Sequence, residues 1–403
     1  MLQAIKSGDW IDAARILRVA RVTLLFSVLI IGVLAVTAGD PKGANGRPAG
    51  EDFFSFWSAG ALATEVSPEA VYDAREHFKA HQRLLAEENP PFYPYFFPPF
   101  FFFVTIILAM LPLKTAWVAW MAATLPIYLW AARISFPMRG WLLLALAYPA
   151  VFVNFAHGQN GFLIAGLLAG GVLMLDKRPL LAGVLFGLLT LKPHFGLLIP
   201  IVLLATGRWR TIAAACATTL LLCGAATLAF GADIWPAFFK NAAFARTAYL
   251  ADGGGGWAKL QSLYSALRAL GAPEAPAMAA QAALGLGIAA SMVWLWRSTA
   301  PFALKSAGLI TAALLATPYV YDYDFMALAP ALGLLASEGL KDGFRPYEKT
   351  GLAFAFLAPL VARTLGAATL IPIGFLALAA VFALTMARAL SAVGARAEEP
   401  CAA

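Results

Sequence analysis

The chain has 403 residues, of which 61% are hydrophobic and only 13% charged, and its mean hydropathy is +0.76. Soluble domains lie nearer half apolar and a quarter charged, so the composition excludes a soluble enzyme with a grafted anchor and implies an integral membrane protein. The net charge of +7 is scattered singly and in pairs between apolar runs; it reads as a set of topology signals, not as a nucleic-acid surface, and no nucleic-acid partner is expected.

At roughly 20 apolar residues per crossing, the stretches between Val19 and Leu390 predict an all-α polytopic membrane protein of about ten to twelve transmembrane helices. Residues 1–21 are polar and basic. The apolar run from Val22 to Ala38 lacks a small-residue cleavage site, so residues 22–39 are expected to remain as the first membrane helix. Arg15, Arg18 and Arg21 before it place the amino terminus in the cytoplasm.

Residues 40–97 then form an outer loop. Asp40, Glu51, Asp52, Glu65, Glu69, Asp73, Glu76, Glu87 and Glu88 outnumber Lys42, Arg47, Arg75, Lys79 and Arg83 there, a balance that suits the outside. Asp52 precedes Phe53, Phe54, Phe56 and Trp57, an aromatic run that fits an interfacial helix. A second helix is expected with Ser67 as cap and Pro68 in its first turn. Prolines between Asn89 and Pro99 forbid a regular helix and predict an extended lead-in.

Residues 98–231 are expected to form the transmembrane catalytic module, beginning with a dipping helix over Pro98 to Leu111. Leu180 to Leu191 and Phe195 to Ala205 read either as two short helices around Lys192 or as one long helix containing it. A second large outer loop (232–274), C-terminal membrane helices (275–390) and a cytoplasmic tail (391–403) follow. Basic turns at Arg133 with Arg139, Lys177 with Arg178, Arg208 with Arg210, Arg297 with Lys305, and Lys341 with Arg345 and Lys349 alternate with polar turns, which collects the polar motifs on the outer face. Cys216 and Cys223 share an apolar helix and Cys401 sits in the tail, so no disulfide framework or zinc motif arises.

The order of these motifs resembles the polyprenol-phosphate-sugar-dependent glycosyltransferases of family 87, within the GT-C superfamily. The resemblance rests on Asp52 to Gly60, Tyr95 to Pro99, the Gly158-Gln159-Asn160 turn, Gly187 to Pro193, and Thr317-Pro318 to Asp324. It implies inverting transfer of a sugar, a mannose-like hexose, from a polyprenyl-phosphate donor to a lipid, glycan or other acceptor at the outer face of the cell (inner) membrane, facing the periplasm or exterior. It also implies an essential aspartate in the first outer loop. The chain departs from the family where a histidine commonly follows the acid: Tyr323 stands there, so the leaving-group role of that histidine does not carry over and the particular donor sugar stays open.

Inverting transfer needs a base at the acceptor hydroxyl and a group that stabilises the departing phosphate. Asp52 suits the base, although it also suits the N-cap of the helix beginning at Phe53. Lys192, a charge inside an apolar stretch, suits the phosphate, with His194 beside it; snorkelling from a helix end is the alternative. His157, Gln159 and Asn160 offer groups for sugar hydroxyls or a helix cap. Tyr321, Asp322, Tyr323 and Asp324 combine rings and acids as sugar sites do, although the two acids also suit the cap of the helix that follows, and Trp57 adds another aromatic face. Asp252 to Trp257 is a glycine hinge and not a phosphate loop, and Trp257, Tyr249 and Lys259 around it are placed to close over an acceptor. No cofactor is expected; a divalent metal, if used, would fall to Asp52, Asp322 or Asp324. The lipid chain is expected against Phe96 to Phe103. A transporter or lipid flippase is the alternative function, but no internal repeat supports it.

Overall fold

A computed structural model describes residues 2–41, 43, 47–136 and 138–398; Lys42 and Cys401 lie outside the described residues. Among these the fold is helix and connecting segments with no strand. Six helices are long and apolar enough to cross a bilayer: Ala13–Thr37, Leu113–Ser135, Trp209–Phe230, Glu274–Arg297, Glu348–Thr369 and Ile373–Ala395. Shorter apolar helices, Pro99–Ala109, Gly161–Met174, Pro179–Leu191, Pro193–Ala205 and Phe302–Leu315, complete the bundle.

The distribution of burial follows from this length difference. Gly161–Met174 is buried almost throughout and packs against Leu113–Ser135 and Pro179–Leu188. At 1.5 Å per residue its 14 residues extend about 21 Å, short of a hydrocarbon core of about 30 Å. By contrast, Ala13–Thr37 and Trp209–Phe230 expose apolar side chains along most of their length, as helices facing lipid do.

Several local expectations change. After a short helix over Leu2–Ser7, the first membrane-length helix starts at Ala13, because the Asp12 carboxylate accepts a hydrogen bond from the Arg15 backbone N–H and caps it; Arg15, Arg18 and Arg21 therefore belong to the helix and do not precede it. The helix expected from Ser67 is divided. Glu69–Tyr72 forms a 3-10 turn, and the Asp73 side chain caps Ala74–Leu85 by accepting from Arg75 and Glu76. Pro99–Ala109 is too short to span. Its Phe100, Phe101 and Phe102 are buried in the core, and only Phe103 is exposed in the block expected to line a lipid groove. At Lys192 the chain breaks: Pro179–Leu188 ends in a 3-10 turn, Lys192 is extended at φ −128° and ψ 78°, and a second 3-10 turn begins at Pro193. The single long helix is thus excluded.

Opposite ends of Glu348–Thr369 organise the two ends of the bundle. At its start, Glu348 accepts two hydrogen bonds from buried Arg388, whose other nitrogen donates to the Glu338 and Gly343 carbonyls. Arg363, fifteen residues on and about 22 Å away along the axis, lies at the end where the polar motifs meet.

Candidate active site

Two glycines explain why the Asp52 segment meets the turn at 158–160. Gly158 closes Pro149–His157 at φ 62°, a left-handed conformation that glycine adopts without strain. A Cβ there would lie 2.5 Å from the Cβ of Phe53 and 2.9 Å from Trp117. At Gly161 a Cβ would lie 2.7 Å from the Tyr323 carbonyl oxygen. The first outer segment, the 158–160 turn and the 321–324 segment can converge only because these side chains are missing.

Asp52 occupies the N-cap position of Phe53–Glu65 but makes no capping hydrogen bond. Its carboxylate turns inward instead. Oδ2 accepts from Lys259 Nζ at 2.7 Å and from Gln159 Nε2 at 3.3 Å, and His157 Nδ1 lies 3.8 Å from it. Burial by itself raises the Asp52 pKa; the charges of Lys259 and His157 and the two hydrogen bonds outweigh it, so the net shift is downward. The group is an ionised carboxylate at neutral pH. Tyr93 nearby is pushed up to about 12, by burial first and by the charges of Glu51 and Asp52.

Lys259 is brought here by backbone pairing. Leu260 and Tyr321 form an isolated bridge, the Gln261 N–H donates to the Val320 carbonyl, and the 3-10 turn Trp257–Lys259 precedes them. The sequence places Lys259 near an acceptor, not on Asp52, and Arg363 at a short outer link with no part in the site; Arg363 lies instead within the helix Glu348–Thr369. Arg363 Nη1 lies 3.2 Å from His157 Nε2 and 3.8 Å from Asp322 Oδ2. Asp322 also accepts from the Tyr323 N–H; burial raises its pKa despite His157, Lys259 and Arg363.

Lys192 Nζ donates to Asp324 Oδ1 at 2.7 Å in a buried pair. The same ammonium lies 4.6 Å over the Tyr323 ring, and Lys259 lies 6.0 Å over it. Tyr323 is therefore between the two lysines, stacked on Tyr321 at 5.4 Å. Asn160 is fully buried, and both its amide atoms lack a hydrogen-bond partner, as do Gln159 Oε1 and His157 Nδ1. An unsatisfied buried polar group costs about 1–3 kcal/mol. Several in one turn beside a carboxylate mark a place where a polar ligand would supply the missing partners.

Not every expected residue joins this group. His194 packs against Phe195 and Tyr319 with Nε2 unpartnered; it shares the Phe195 ring with Lys192 but makes no hydrogen bond to the Lys192–Asp324 pair. Trp57 donates to the Leu111 carbonyl and stacks on Phe54, so it fastens the first outer segment to the link that precedes the Leu113–Ser135 helix. Trp257 carries Arg268 over its ring at 5.1 Å and lines a separate cavity of about 190 Å³ with Gln261, Ser265 and Gly366. Among the described residues no group of three or more His, Cys, Asp or Glu side chains is placed to hold a metal ion; the three aspartates are directed instead at Lys259, Lys192 and Arg363.

A sequence profile of glycosyltransferase family 87 matches residues 95–318, which is 224 of the 403 positions. No curated protein and no solved structure matches the chain. The matched stretch contains the 157–160 turn, Lys192 and Lys259, whereas Asp52, Asp322, Asp324 and Arg363 lie outside it and join the site through the fold. A many-helix membrane protein with an ionised aspartate among cations, and with this profile over more than half its length, belongs to glycosyltransferase family 87.

Proposed function

We propose that the chain is an inverting glycosyltransferase that moves a sugar, a mannose-like hexose, from a polyprenyl-phosphate donor to a lipid, glycan or other acceptor. The site opens on the outer face of the inner membrane, and ten to twelve crossings are reached where short helices other than Pro99–Ala109 traverse a bilayer thinned around the bundle. Asp52 is the base. As the acceptor hydroxyl oxygen attacks the anomeric carbon, its proton passes to Asp52; the bond from that carbon to the phosphate oxygen breaks, and the lipid phosphate leaves with the electron pair. Lys192, between Asp324 and Tyr323, contributes positive potential on the leaving side. Gln159, Asn160, His157, Tyr321 and Asp322 receive the hydroxyls of sugar or acceptor.

The observation that carries this reading is the orientation of Asp52: a residue in the capping position that does not cap, and instead lies ionised against Lys259, Gln159 and His157. The test is transfer by purified protein in lipid nanodiscs against a panel of polyprenyl-phosphate sugars, with and without chelator. Wild type is expected to transfer one sugar in both conditions, since the charges are balanced by side chains. Asp52→Asn is expected to lose about 10² to 10⁴ in rate with unchanged thermal stability. Near-normal turnover by that variant would reject Asp52 as the base, and loss of activity in chelator restored by magnesium would assign the phosphate to a metal.

A further inference from the structure

A base that takes a proton from a hydroxyl works best without a cation on its oxygen, yet the Asp52 carboxylate carries one. Lys259 Nζ lies 2.7 Å from Oδ2, and both side chains remain partly exposed, at 16% and 17%. Its counterpart Lys192 is fixed on Asp324 in the interior. Lys259 is thus the lysine of the pair that an arriving anion can reach, and it hangs from a turn that follows four consecutive glycines, of which Gly253 and Gly256 have φ of 71° and 79°. Backbone of that kind can reorient at little cost.

We propose that Lys259 is an exchangeable counter-ion: it holds Asp52 in the free enzyme, passes to the phosphate of the donor on binding, and so releases the base only when donor is present. The inference rests on the reading of Asp52 as base in a phosphate-donor transferase. It assigns to Lys259 a contact with the donor phosphate, where the sequence suggested only the acceptor. The chemistry is an exchange of one ammonium between two anions with no covalent change. In the donor the phosphate is a diester with one charge on two free oxygens, equal to the carboxylate, and it gains a second charge as the sugar departs, so the exchange is near balance on binding and is drawn forward as the leaving group forms. Such an arrangement orders the reaction: with donor absent, the acceptor hydroxyl meets a carboxylate already engaged.

A double-mutant cycle on full-length protein in nanodiscs, with farnesyl phosphate as the probe, tests the exchange. In wild type the lysine loses one anion as it gains another, so Lys259→Met is expected to weaken binding only modestly. In the Asp52→Asn background the lysine has no prior partner, and the same change is expected to cost about tenfold or more, the size of a charge-assisted hydrogen bond. The double variant has neither charge and serves as the folding control. An equal effect of Lys259→Met in both backgrounds would mean that Asp52 and the phosphate do not compete for the lysine, and the exchange would be overturned.

The acid limb of kcat/KM for donor gives a second readout, because it reports the free enzyme. Asp52 there faces Lys259, His157, Lys192 and the phenols of Tyr93, Tyr249, Tyr321 and Tyr323. Lys259 is the group bonded to it, so Lys259→Met is expected to move that limb to higher pH while the limb of kcat at saturating donor stays nearly in place. Equal movement of both limbs again refutes the exchange. Failure of wild type to bind the phosphate at all, or transfer by Asp52→Asn, removes the transferase reading itself; a flat cycle with binding and Asp52-dependent transfer intact removes only the role of Lys259.

Discussion

Two lysine–aspartate pairs stand side by side at one end of the bundle with the same 2.7 Å separation, and they are built for different purposes. Asp324 is fully buried and has both oxygens occupied, Oδ1 by Lys192 and Oδ2 by the Tyr321 N–H. Asp52 is partly exposed, and the bonds from Lys259 and Gln159 both fall on Oδ2. Distance alone does not distinguish a pin from a switch. What separates them is saturation of the acceptor and access of a competitor to the cation. The Glu348–Arg388 pair at the opposite end is a third case, buried and with both terminal guanidinium nitrogens satisfied, and it holds three helices together.

The sharpest way to break this contrast is to remove Lys192. Lys192→Ala leaves Asp324 buried and unpaired, a change that typically costs about 3–5 kcal/mol, and thermal melting in detergent should show a large drop. Replacing both partners, Lys192→Met with Asp324→Leu, should recover most of that stability without recovering transfer. Lys259→Met should lower the melting temperature far less, since water reaches Asp52. Equal losses for the two lysines would end the distinction between them.

A smaller effect is expected where the two pairs are brought together. Gly158→Ala forces a side chain into a left-handed turn and against Phe53, at about 2–4 kcal/mol. By displacing the 157–160 turn it should reduce turnover more than it changes the Lys192–Asp324 pair. Near-wild-type transfer by this variant would show that Gln159 and His157 need not approach Asp52. The mildest change is Trp57→Phe, which deletes one hydrogen bond to Leu111 and should cost about 1 kcal/mol. Donor and acceptor KM should be unchanged; a raised KM would return Trp57 to the substrate site.

Much of this architecture is readable from local pattern. Apolar runs of crossing length predict the long helices, because hydrophobicity and backbone self-satisfaction act within one segment. Pro193 after Lys192 marks the break, since proline removes a donor and restricts its predecessor. Asp52 before a run of aromatics is equally visible, but its two readings, cap and base, are identical in sequence; the structure separates them by where the carboxylate points. Short range also explains the misses at helix starts. Asp12 and Asp73 outcompete the expected boundaries because a carboxylate caps a helix strongly, and apolar periodicity does not register it.

The relation between charges was not readable. Lys259 meets Asp52 across 207 positions, Arg363 meets His157 across 206 and Lys192 meets Asp324 across 132. Sequence fixes each charge in its own segment and the low dielectric around it, which requires that each find a partner. Which partner it finds depends on how helices cross, where a missing Cβ at Gly158 and Gly161 lets backbones approach, and on the pairing of Leu260 with Tyr321. Those are contacts between segments, and only the packed bundle decides them.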